Sequence, residues 1–251
     1  MTVKKTGKLK NKTAIVTGGG TGIGKAIAVN LAVEGATVVI AGRTKEHLDD
    51  TVKAITSFGG RAFAFPLDLL DMVSVKTFVD NVSKNLNSVD ILVNNSGIAN
   101  MAPFQDESVE EWDKVMGTNL KGLYFLTQGI VKIMQQQDDV SKIINITSVV
   151  AHACPPNMSV YNASKAALEA LTKTWMKELA PKITVNNVAP GLVLTNFTKG
   201  FSEEVKQQIV GATPMGRLAN ADDVAHACLY FATSDFITGQ TIVVDGGRLT
   251  I

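Results

Sequence analysis

Three residues near the middle of the chain have the types and the spacing needed for acid–base chemistry on an alcohol or a ketone. Tyr161 and Lys165 are four residues apart in an alanine-rich stretch that predicts a helix, so their side chains should share one helix face. Ser148 follows an apolar run that predicts a buried strand. A free tyrosine has a pKa of about 10, and a neighbouring ammonium should lower this pKa towards neutral pH. The phenol could then exchange a proton with an oxygen that the serine hydroxyl binds.

A tyrosine and a lysine at this spacing also occur in helices that have no catalytic role, as a half-buried aromatic residue and a solvated charge. The chemical interpretation therefore depends on the elements around them. One such element is a glycine-rich turn at residues 17–24, between a β-branched stretch at 13–16 that predicts a strand and a stretch at 25–32 that predicts a helix. Glycines permit tight turning and close backbone approach, and a helix N-terminus attracts phosphate, so this unit predicts a nucleotide site.

Strand and helix patterns alternate along the rest of the chain, which predicts βαβ units and a parallel sheet. We find no linker, repeat or low-complexity stretch in the sequence. The predicted fold class is therefore α/β: one domain over residues 1–251, with a Rossmann-type doubly wound parallel sheet of about seven strands and helices on both faces. Predicted strands cover residues 13–16, 36–40, 62–65, 90–93, 143–147, 183–188 and 241–244, and predicted helices cover residues 25–32, 45–58, 73–86, 112–136, 163–171 and 222–232.

Composition argues against several other classes of protein. The formal net charge of +1 provides no field that would select nucleic acid or a membrane surface. Cys154 and Cys228 are far apart and have no metal-like spacing, so we expect free thiols and no metal site. Residues 1–12 are polar and lysine-rich, unlike a signal peptide, and no apolar run reaches membrane-spanning length. We therefore expect a cytoplasmic protein.

In doubly wound sheets, ligands bind beyond the carboxyl ends of the strands. Gly18, Asp68, Asn94, Ser148 and Pro190 are all predicted at such ends, so we expect them to converge on one crevice with the tyrosine and the lysine. This ordered set resembles the short-chain dehydrogenase/reductase family in its short, single-domain form, over residues 8–247. The matching motifs are Thr17-Gly-x-x-x-Gly22-x-Gly24, Asp68, Asn94-Asn95-Ser96-Gly97, Asn119, Ser148, Tyr161-x-x-x-Lys165 and Pro190-Gly191.

The resemblance implies an oxidoreductase that transfers hydride to or from a nicotinamide cofactor. Tyr161 would be the acid/base, and Lys165 would tune it and bind the nicotinamide ribose. Ser148 would hold the substrate oxygen, and Asn119 would anchor a water that connects the lysine to solvent. Ser96 stands where the family usually has alanine, a change between two small residues. The implied cofactor residues are Gly18, Thr21, Gly22, Ile23, Gly24, Arg43, Thr44, Asp68, Leu69, Asn95, Ser96, Gly97, Tyr161, Lys165, Pro190, Gly191, Val193 and Thr195.

The resemblance also distributes some of these residues along the dinucleotide. Asp68 and Leu69 would contact the adenine, and Asn95 and Gly97 would lie along the adenosine half. Thr195 would face the nicotinamide carboxamide or the phosphates. The hydride chemistry belongs to the cofactor, and the protein supplies position and a proton.

The end of the second predicted strand indicates which nicotinamide is preferred. A site for NAD carries an acidic residue there, which binds the ribose 2′-hydroxyl and repels a 2′-phosphate. Here Gly42 occupies that position, Arg43 follows it, and the nearest acid, Glu46, is predicted in the next helix. A guanidinium binds phosphate through two parallel hydrogen bonds, so NADP(H) is the predicted cofactor. If Arg43 is only a solvated loop cation, the site accepts both nucleotides, and NAD(H) stays possible.

The substrate is expected between the loop after Ser148 and the segment at residues 192–217. We see no cation there that is evidently dedicated to a carboxylate or a phosphate, so the prediction is a neutral or largely apolar ketone or alcohol. His47, His152 and His226 have no carboxylate at a useful spacing, although His152 could line the pocket. The apolar candidates for the lining are Val149, Val150, Met158, Leu192, Val193, Leu194, Phe197 and Phe201.

Three functions fit these motifs. The first is a general NADPH-dependent ketone reductase. The second is a 3-oxoacyl-[acyl-carrier-protein] reductase, which would need a basic patch for its acidic carrier, whereas the predicted helix at 112–136 ends poor in cations and Lys182 alone precedes the sixth strand. The third is a non-catalytic nucleotide-binding module, which would be expected to lose the tyrosine or the lysine.

A homotetramer is expected as well. The predicted Tyr161 helix carries small residues that leave room for another helix, and the resemblance implies that two helices pair across a two-fold axis. Internal packing could explain the same small residues. They are Ala163, Ala166, Ala167 and Ala170, together with Gly117, Gly122 and Gly129 on the preceding long helix.

Overall fold

A seven-stranded parallel sheet forms the centre of the computed structural model, which describes residues 7–195 and 202–249. The strand order is β3-β2-β1-β4-β5-β6-β7, so the order reverses between β1 and β4. This arrangement confirms the predicted Rossmann-type doubly wound sheet. The strands are β1 Thr13–Thr17, β2 Thr37–Gly42, β3 Arg61–Pro66, β4 Ile91–Asn94, β5 Ser141–Ile146, β6 Ile183–Pro190 and β7 Thr241–Val244.

Helices connect successive strands and cover both faces of the sheet. The N-terminal caps of some of them can be recognised in the sequence: the Ser108 hydroxyl accepts from the Glu111 amide at 3.1 Å, and Asn220 forms a capping box with Asp223. The helices are α1 Gly22–Val33, α2 Lys45–Thr56, α3 Met72–Asn85, α4 Val109–Met116, α5 Leu123–Met134, α6 Val150–Ala153, α7 Ser159–Leu179, α8 Glu203–Gly211 and α9 Ala221–Ala232.

The alternation of side chains along each strand divides the core into two layers. Val38 and Ile40 of β2 belong to the core layer that includes residues of α1 and α9, whereas Val39 between them belongs to the opposite layer, which includes residues of α3, α5 and α7. Strands buried on both faces need continuous apolar runs, which explains why β1, β2 and β4 were recognisable in the sequence.

The stretch at residues 112–136 differs from its prediction. A single long helix was expected, but α4 and α5 are separated by a π-helical segment, Gly117–Gly122. A π-helical turn widens the helix, and such turns are frequent at functional sites. Here the segment carries Asn119, whose side chain is buried. Among the described helices, none combines the length and the apolar character that crossing a membrane requires.

Candidate active site

The turn between β1 and α1 is a cradle built from backbone. Gly18 and Gly22 have φ angles of +64° and +53°, a conformation that favours glycine. A side chain at Gly24 could not be accommodated, because a Cβ atom there would collide with the Gly18 carbonyl and lie 2.5 Å from the Asn95 amide nitrogen. The turn lines an open groove at the N-terminus of α1, where the backbone amides and the helix dipole suit a phosphate. These features fit a dinucleotide pyrophosphate.

Asn95 holds this turn against the end of β4. Its amide nitrogen donates to the Thr17 carbonyl at 2.8 Å and to the Gly18 carbonyl at 3.3 Å. In return, the Thr17 hydroxyl accepts from the backbone amides of Asn95 and Ser96, both at 3.0 Å. The side chain predicted to lie along the adenosine therefore also fixes the shape of the cradle.

A groove of about 460 Å³ runs from this cradle across the ends of β2 and β3. His47 was predicted to have no part in the site, but it lines the groove from the first turn of α2, which begins directly after Arg43 and Thr44. Glu46 lies in the first turn of α2 and is not among the described lining residues. The predicted cofactor residues that line the groove are Gly18, Thr21, Gly22, Ile23, Gly24, Arg43, Thr44, Asp68, Leu69, Asn95, Ser96, Gly97 and Thr195.

A second cavity, of about 720 Å³, adjoins the groove. Ile23, Asn95, Gly97 and Thr195 line both spaces, so the two are continuous. The remaining predicted cofactor residues and three of the four predicted catalytic residues line this cavity. They are Ser148, Tyr161, Lys165, Pro190, Gly191 and Val193.

Tyr161 has a pKa that differs from the predicted direction. Desolvation by the surrounding protein raises the pKa of the phenol above its ordinary value of 10, and hydrogen bonding with Ser148 offsets only part of this rise. Lys165 is not among the groups that shift this pKa, although its ammonium lies 5.7 Å from the centre of the Tyr161 ring. The phenol is thus protonated at neutral pH, which is the form that can give up a proton.

Lys165 is buried, and burial lowers the pKa of its ammonium from 10.5 to about 8. The Nζ atom donates to the Ile146 carbonyl at 2.8 Å, at the end of β5. Asn119 lies nearby: a Cβ atom on Gly97 would be 3.4 Å from Lys165 Nζ and 3.3 Å from Asn119 Oδ1. The Asn119 amide accepts from the Ile98 amide and donates to the Ile98 carbonyl, both at 2.8 Å. Asn119 itself does not line either cavity among the described residues.

Two further interpretations of the sequence need correction. Asn94 was expected in the crevice, but it is buried in the sheet, where its amide donates to Asn145 at 2.8 Å. His152 was expected to have no carboxylate partner, but its Nε2 atom lies 3.1 Å from a carboxylate oxygen of Glu169, a buried residue that also accepts from the Thr147 hydroxyl at 3.1 Å. Glu169 is 17 residues away in sequence, beyond any local spacing pattern. His152 is not among the described residues that line the substrate cavity.

The lining of the second cavity is largely apolar, as predicted, and it includes Val149, Val150, Met158, Leu192 and Val193. Leu194 is 56% exposed and is not part of the described lining. The predictions for Phe197 and Phe201 concern positions outside the described residues.

One cation lines this cavity from outside the two segments that were expected to hold the substrate. Arg248 lines this cavity after β7, although about a hundred residues separate it from Ser148 in the sequence. Its neighbours in sequence predict only a turn, so no local pattern indicates that it reaches the cavity.

Comparison with known proteins supports the resemblance. A family model described as enoyl-(acyl carrier protein) reductase matches residues 18–248. The 3-oxoacyl-[acyl-carrier-protein] reductase FabG of Thermotoga maritima is 38% identical over 243 residues, which cover 96% of this chain and 98% of that protein. A solved structure described as a short chain dehydrogenase/reductase family protein is 38% identical, with a TM-score of 0.85 and coverage of 96% of this chain and 98% of that one.

The chain belongs to the short-chain dehydrogenase/reductase family. It is therefore an NAD(P)-dependent oxidoreductase, which argues against the non-catalytic alternative. Another structure of this family, assigned as an NAD(P)-dependent gluconate 5-dehydrogenase from Beutenbergia cavernae and solved with bound NADP at low occupancy, is 32% identical. It has a TM-score of 0.91 and covers 96% of this chain and 97% of that one.

Proposed function

We propose that the protein uses NADPH to reduce a ketone to a secondary alcohol, and that Tyr161 provides the proton. The observation that carries this proposal is the position of Ser148, Tyr161 and Lys165 on the wall of an apolar cavity that continues into the glycine-lined groove. A substrate carbonyl can thus meet both a proton donor and the reactive end of a dinucleotide in one desolvated space.

The cofactor would lie with its pyrophosphate on the cradle of Gly18, Gly22 and Gly24 and its nicotinamide end near Thr195 and Pro190. The nicotinamide supplies the hydride when it is bound. The protein contributes orientation, because the groove and the cavity meet at residues shared by both walls. It also excludes water from the reacting carbon, since the lining of the cavity is mostly apolar.

The chain's own polar groups would manage the substrate oxygen. The Ser148 hydroxyl would donate to the carbonyl oxygen, and the phenol of Tyr161 would pass its proton to that oxygen as charge develops on it. Burial keeps the phenol protonated, which suits reduction. Lys165, with a pKa of about 8, is mostly protonated at pH 7 and would favour the tyrosinate that remains after transfer. Asn119 would help to hold a water beside Lys165.

The groove favours NADPH because it lacks an acid where the 2′-phosphate of NADP(H) would lie. Gly42 ends β2, and the residues that follow along the groove include Arg43, Thr44 and His47. An exposed guanidinium can bind a phosphate through two hydrogen bonds, and Thr44 can donate a third. NAD(H) lacks this phosphate and would gain nothing from Arg43.

A panel of substrates assayed with both nicotinamides tests the proposal. The panel contains neutral ketones, sugars and 3-oxoacyl thioesters, and catalytic efficiency is measured with NADPH and with NADH. We expect reduction of at least one carbonyl class and a higher efficiency with NADPH. An efficiency ratio of NADPH to NADH at or below one would refute the cofactor preference, and a panel without any turnover would refute the reductase.

A 3-oxoacyl-[acyl-carrier-protein] reductase is the second candidate, and the FabG relatives favour it. The distribution of cations favours it less. Lys182 donates to the Gln137 carbonyl at 2.9 Å, and the Arg217 guanidinium is paired with Asp223 at 2.7 Å, so neither is available without exchange of partners. A lower KM for a 3-oxoacyl group on the carrier protein than on pantetheine would select this function, whereas equal values would exclude use of the carrier.

The proposal includes a homotetramer in the cytoplasm, with residues 1–251 as one catalytic unit. The glycines do not support helix pairing, since a side chain at Gly117, Gly122 or Gly129 would meet Leu70, Leu69 or Val79 of the same chain. The exposed alanines of α7 do support it, together with exposed aromatic residues on α4 and α5: Trp112 is 46% exposed and Phe125 is 43% exposed. Light scattering at micromolar concentration should give a tetramer mass, and a monomer mass would overturn the assembly.

A further inference from the structure

The charges around the substrate cavity are unbalanced. Among the residues described as lining it, Lys165 and Arg248 are cationic and none is acidic. Lys165 is buried and already donates to the Ile146 carbonyl. Arg248 is exposed, and it forms no hydrogen bond or ion pair with residues 7–195 or 202–249. Its five donors are therefore available to a ligand that enters the cavity.

The backbone around Arg248 is held in place. The Asp245 carboxylate accepts from the Gly247 amide at 2.8 Å and from the Leu249 amide at 2.6 Å, so both neighbours of the arginine are fixed to one side chain. The Gly246 carbonyl also accepts from the Met215 amide at 3.1 Å. Because Asp245 is committed to these backbone amides, the nearest acid in sequence does not neutralise the guanidinium. The turn thus presents a free cation from a fixed position, which lowers the entropy cost of binding an anion.

The sheet topology indicates how far Arg248 lies from Ser148, where the substrate carbonyl is proposed to bind. Arg248 follows β7 and Ser148 follows β5, and these strands are separated only by β6 in the parallel sheet. Neighbouring strands are about 4.8 Å apart, so the ends of β5 and β7 are separated by roughly 10 Å, and Arg248 lies four residues beyond the end of β7. Gln208 of α8 lines the same cavity and offers a neutral donor. An anionic group near Arg248 would accordingly be several bonds away from the carbonyl at Ser148.

We propose that Arg248 binds an anionic group of the ketone substrate, a carboxylate or a phosphate, several bonds away from the carbonyl that is reduced. The inference rests on the proposed ketone reduction and narrows its substrate class. Arg248 does not line the groove assigned to the dinucleotide phosphates, where Arg43 is the cation. A guanidinium pairs with a carboxylate or a phosphate through two hydrogen bonds, so Arg248 could bind either anion in the same way.

Two pairs of matched substrates test the inference, each with saturating NADPH. The carboxylate pair is 7-oxooctanoate and its methyl ester, and the phosphate pair is 6-oxoheptyl phosphate and 6-oxoheptan-1-ol. The wild type should use at least one anion about tenfold more efficiently than its neutral partner, and rising salt should reduce that preference. The pair that responds identifies the anion.

The variants are Arg248→Met, Arg248→Lys and a charge-matched control, Arg61→Met, which is exposed on β3 at the opposite edge of the sheet. Arg248→Met should abolish the preference for the anion while changing kcat/KM for the neutral partner less than about twofold, and Arg248→Lys should keep part of it. Arg61→Met should behave as wild type. Equal losses on both members of a pair, or a wild type without preference for either anion, would overturn the inference. Failure to reduce even the neutral partners would instead refute the proposed reductase.

Discussion

The groove proposed for the dinucleotide and the cavity proposed for the substrate share a wall but are built differently. The groove depends on backbone shape within a short stretch: Gly18, Gly22 and Gly24 act through missing side chains and positive φ angles. The cavity depends on side chains from distant parts of the chain, with Ser148 after β5, Tyr161 on α7 and Arg248 after β7.

This difference shows what kind of change each region should tolerate. In a region built from backbone, any added side-chain atom should lower both the stability of the fold and the affinity for the ligand. A side-chain-built region should tolerate isosteric substitutions in its fold and lose only the chemistry of the group removed. Substitutions in each region test this contrast, and the loss of the Tyr161 hydroxyl should have the largest effect.

Tyr161→Phe removes a hydroxyl from the cavity and leaves the ring. We expect kcat to fall by about 10²–10⁴-fold because the proton donor is lost, while cofactor affinity and unfolding temperature stay close to wild type. Steady-state rates, cofactor titration and thermal unfolding should be measured on the same preparation. A variant that keeps more than about a tenth of the rate would show that Tyr161 is not the acid.

Lys165→Met should separate stability from activity. The folded pKa of about 8 lies below the unfolded value of 10.5, so below pH 8 the folded state carries a buried charge that costs about 3 kcal/mol. Between pH 8 and 10.5 the folded protein has released a proton that the unfolded chain still binds, and wild-type stability therefore rises in this window. The inactive variant should therefore have a higher free energy of unfolding than wild type at pH 7. Loss of the hydrogen bond to the Ile146 carbonyl reduces this advantage, and the advantage should disappear near pH 10.5.

Denaturant unfolding of both proteins at the two pH values, at one protein concentration, measures this difference. If the difference in unfolding free energy does not change with pH, the lysine is not buried as a charge.

Gly42→Asp combined with Arg43→Leu changes side chains on the otherwise backbone-built groove. The new carboxylate should repel a 2′-phosphate and accept from a ribose hydroxyl, so preference should move from NADPH towards NADH by about 10²-fold. The ratio of catalytic efficiencies is the measurement, and each single variant serves as a control. An unchanged ratio in the double variant would locate the selectivity elsewhere.

Gly24→Ala tests the backbone-built cradle. The added methyl would collide with the Gly18 carbonyl, and we expect the free energy of unfolding to fall by about 1–3 kcal/mol, with weaker cofactor binding. Gly211→Ala is a matched control, because a Cβ atom there has no described neighbour within 4 Å. Equal stability of the two variants would contradict the close contact.

His152→Ala tests the contact between His152 and Glu169. His152 is not among the described residues that line the cavity. Loss of the pairing with Glu169 should lower the free energy of unfolding by about 1 kcal/mol, with a smaller effect on kcat than any change at Tyr161. Cys154→Ala, directly after α6, should be nearly neutral, since its thiol makes only a 3.9 Å contact with the Ala151 carbonyl. A large loss of activity without loss of stability would instead give His152 a direct part in the reaction.

Local sequence patterns are enough to predict how strands and helices alternate along the chain, the glycine cradle, and the shared helix face of Tyr161 and Lys165. These features depend on side-chain period, on spacing of four residues and on the conformational freedom of glycine, all of which act within a short stretch of chain. The family resemblance then predicted many of the residues that line the groove and the cavity, because it relates motifs from all parts of the chain.

The tertiary structure alone decided the rest. The pairing of His152 with Glu169, the burial of Asn94 and the place of Arg248 on the cavity arise when distant strands become neighbours, and no local period records that adjacency. The direction of the Tyr161 pKa was decided in the same way. Proximity to Lys165 in sequence predicted a fall, but desolvation depends on everything packed around the phenol, and this stronger effect raises the pKa.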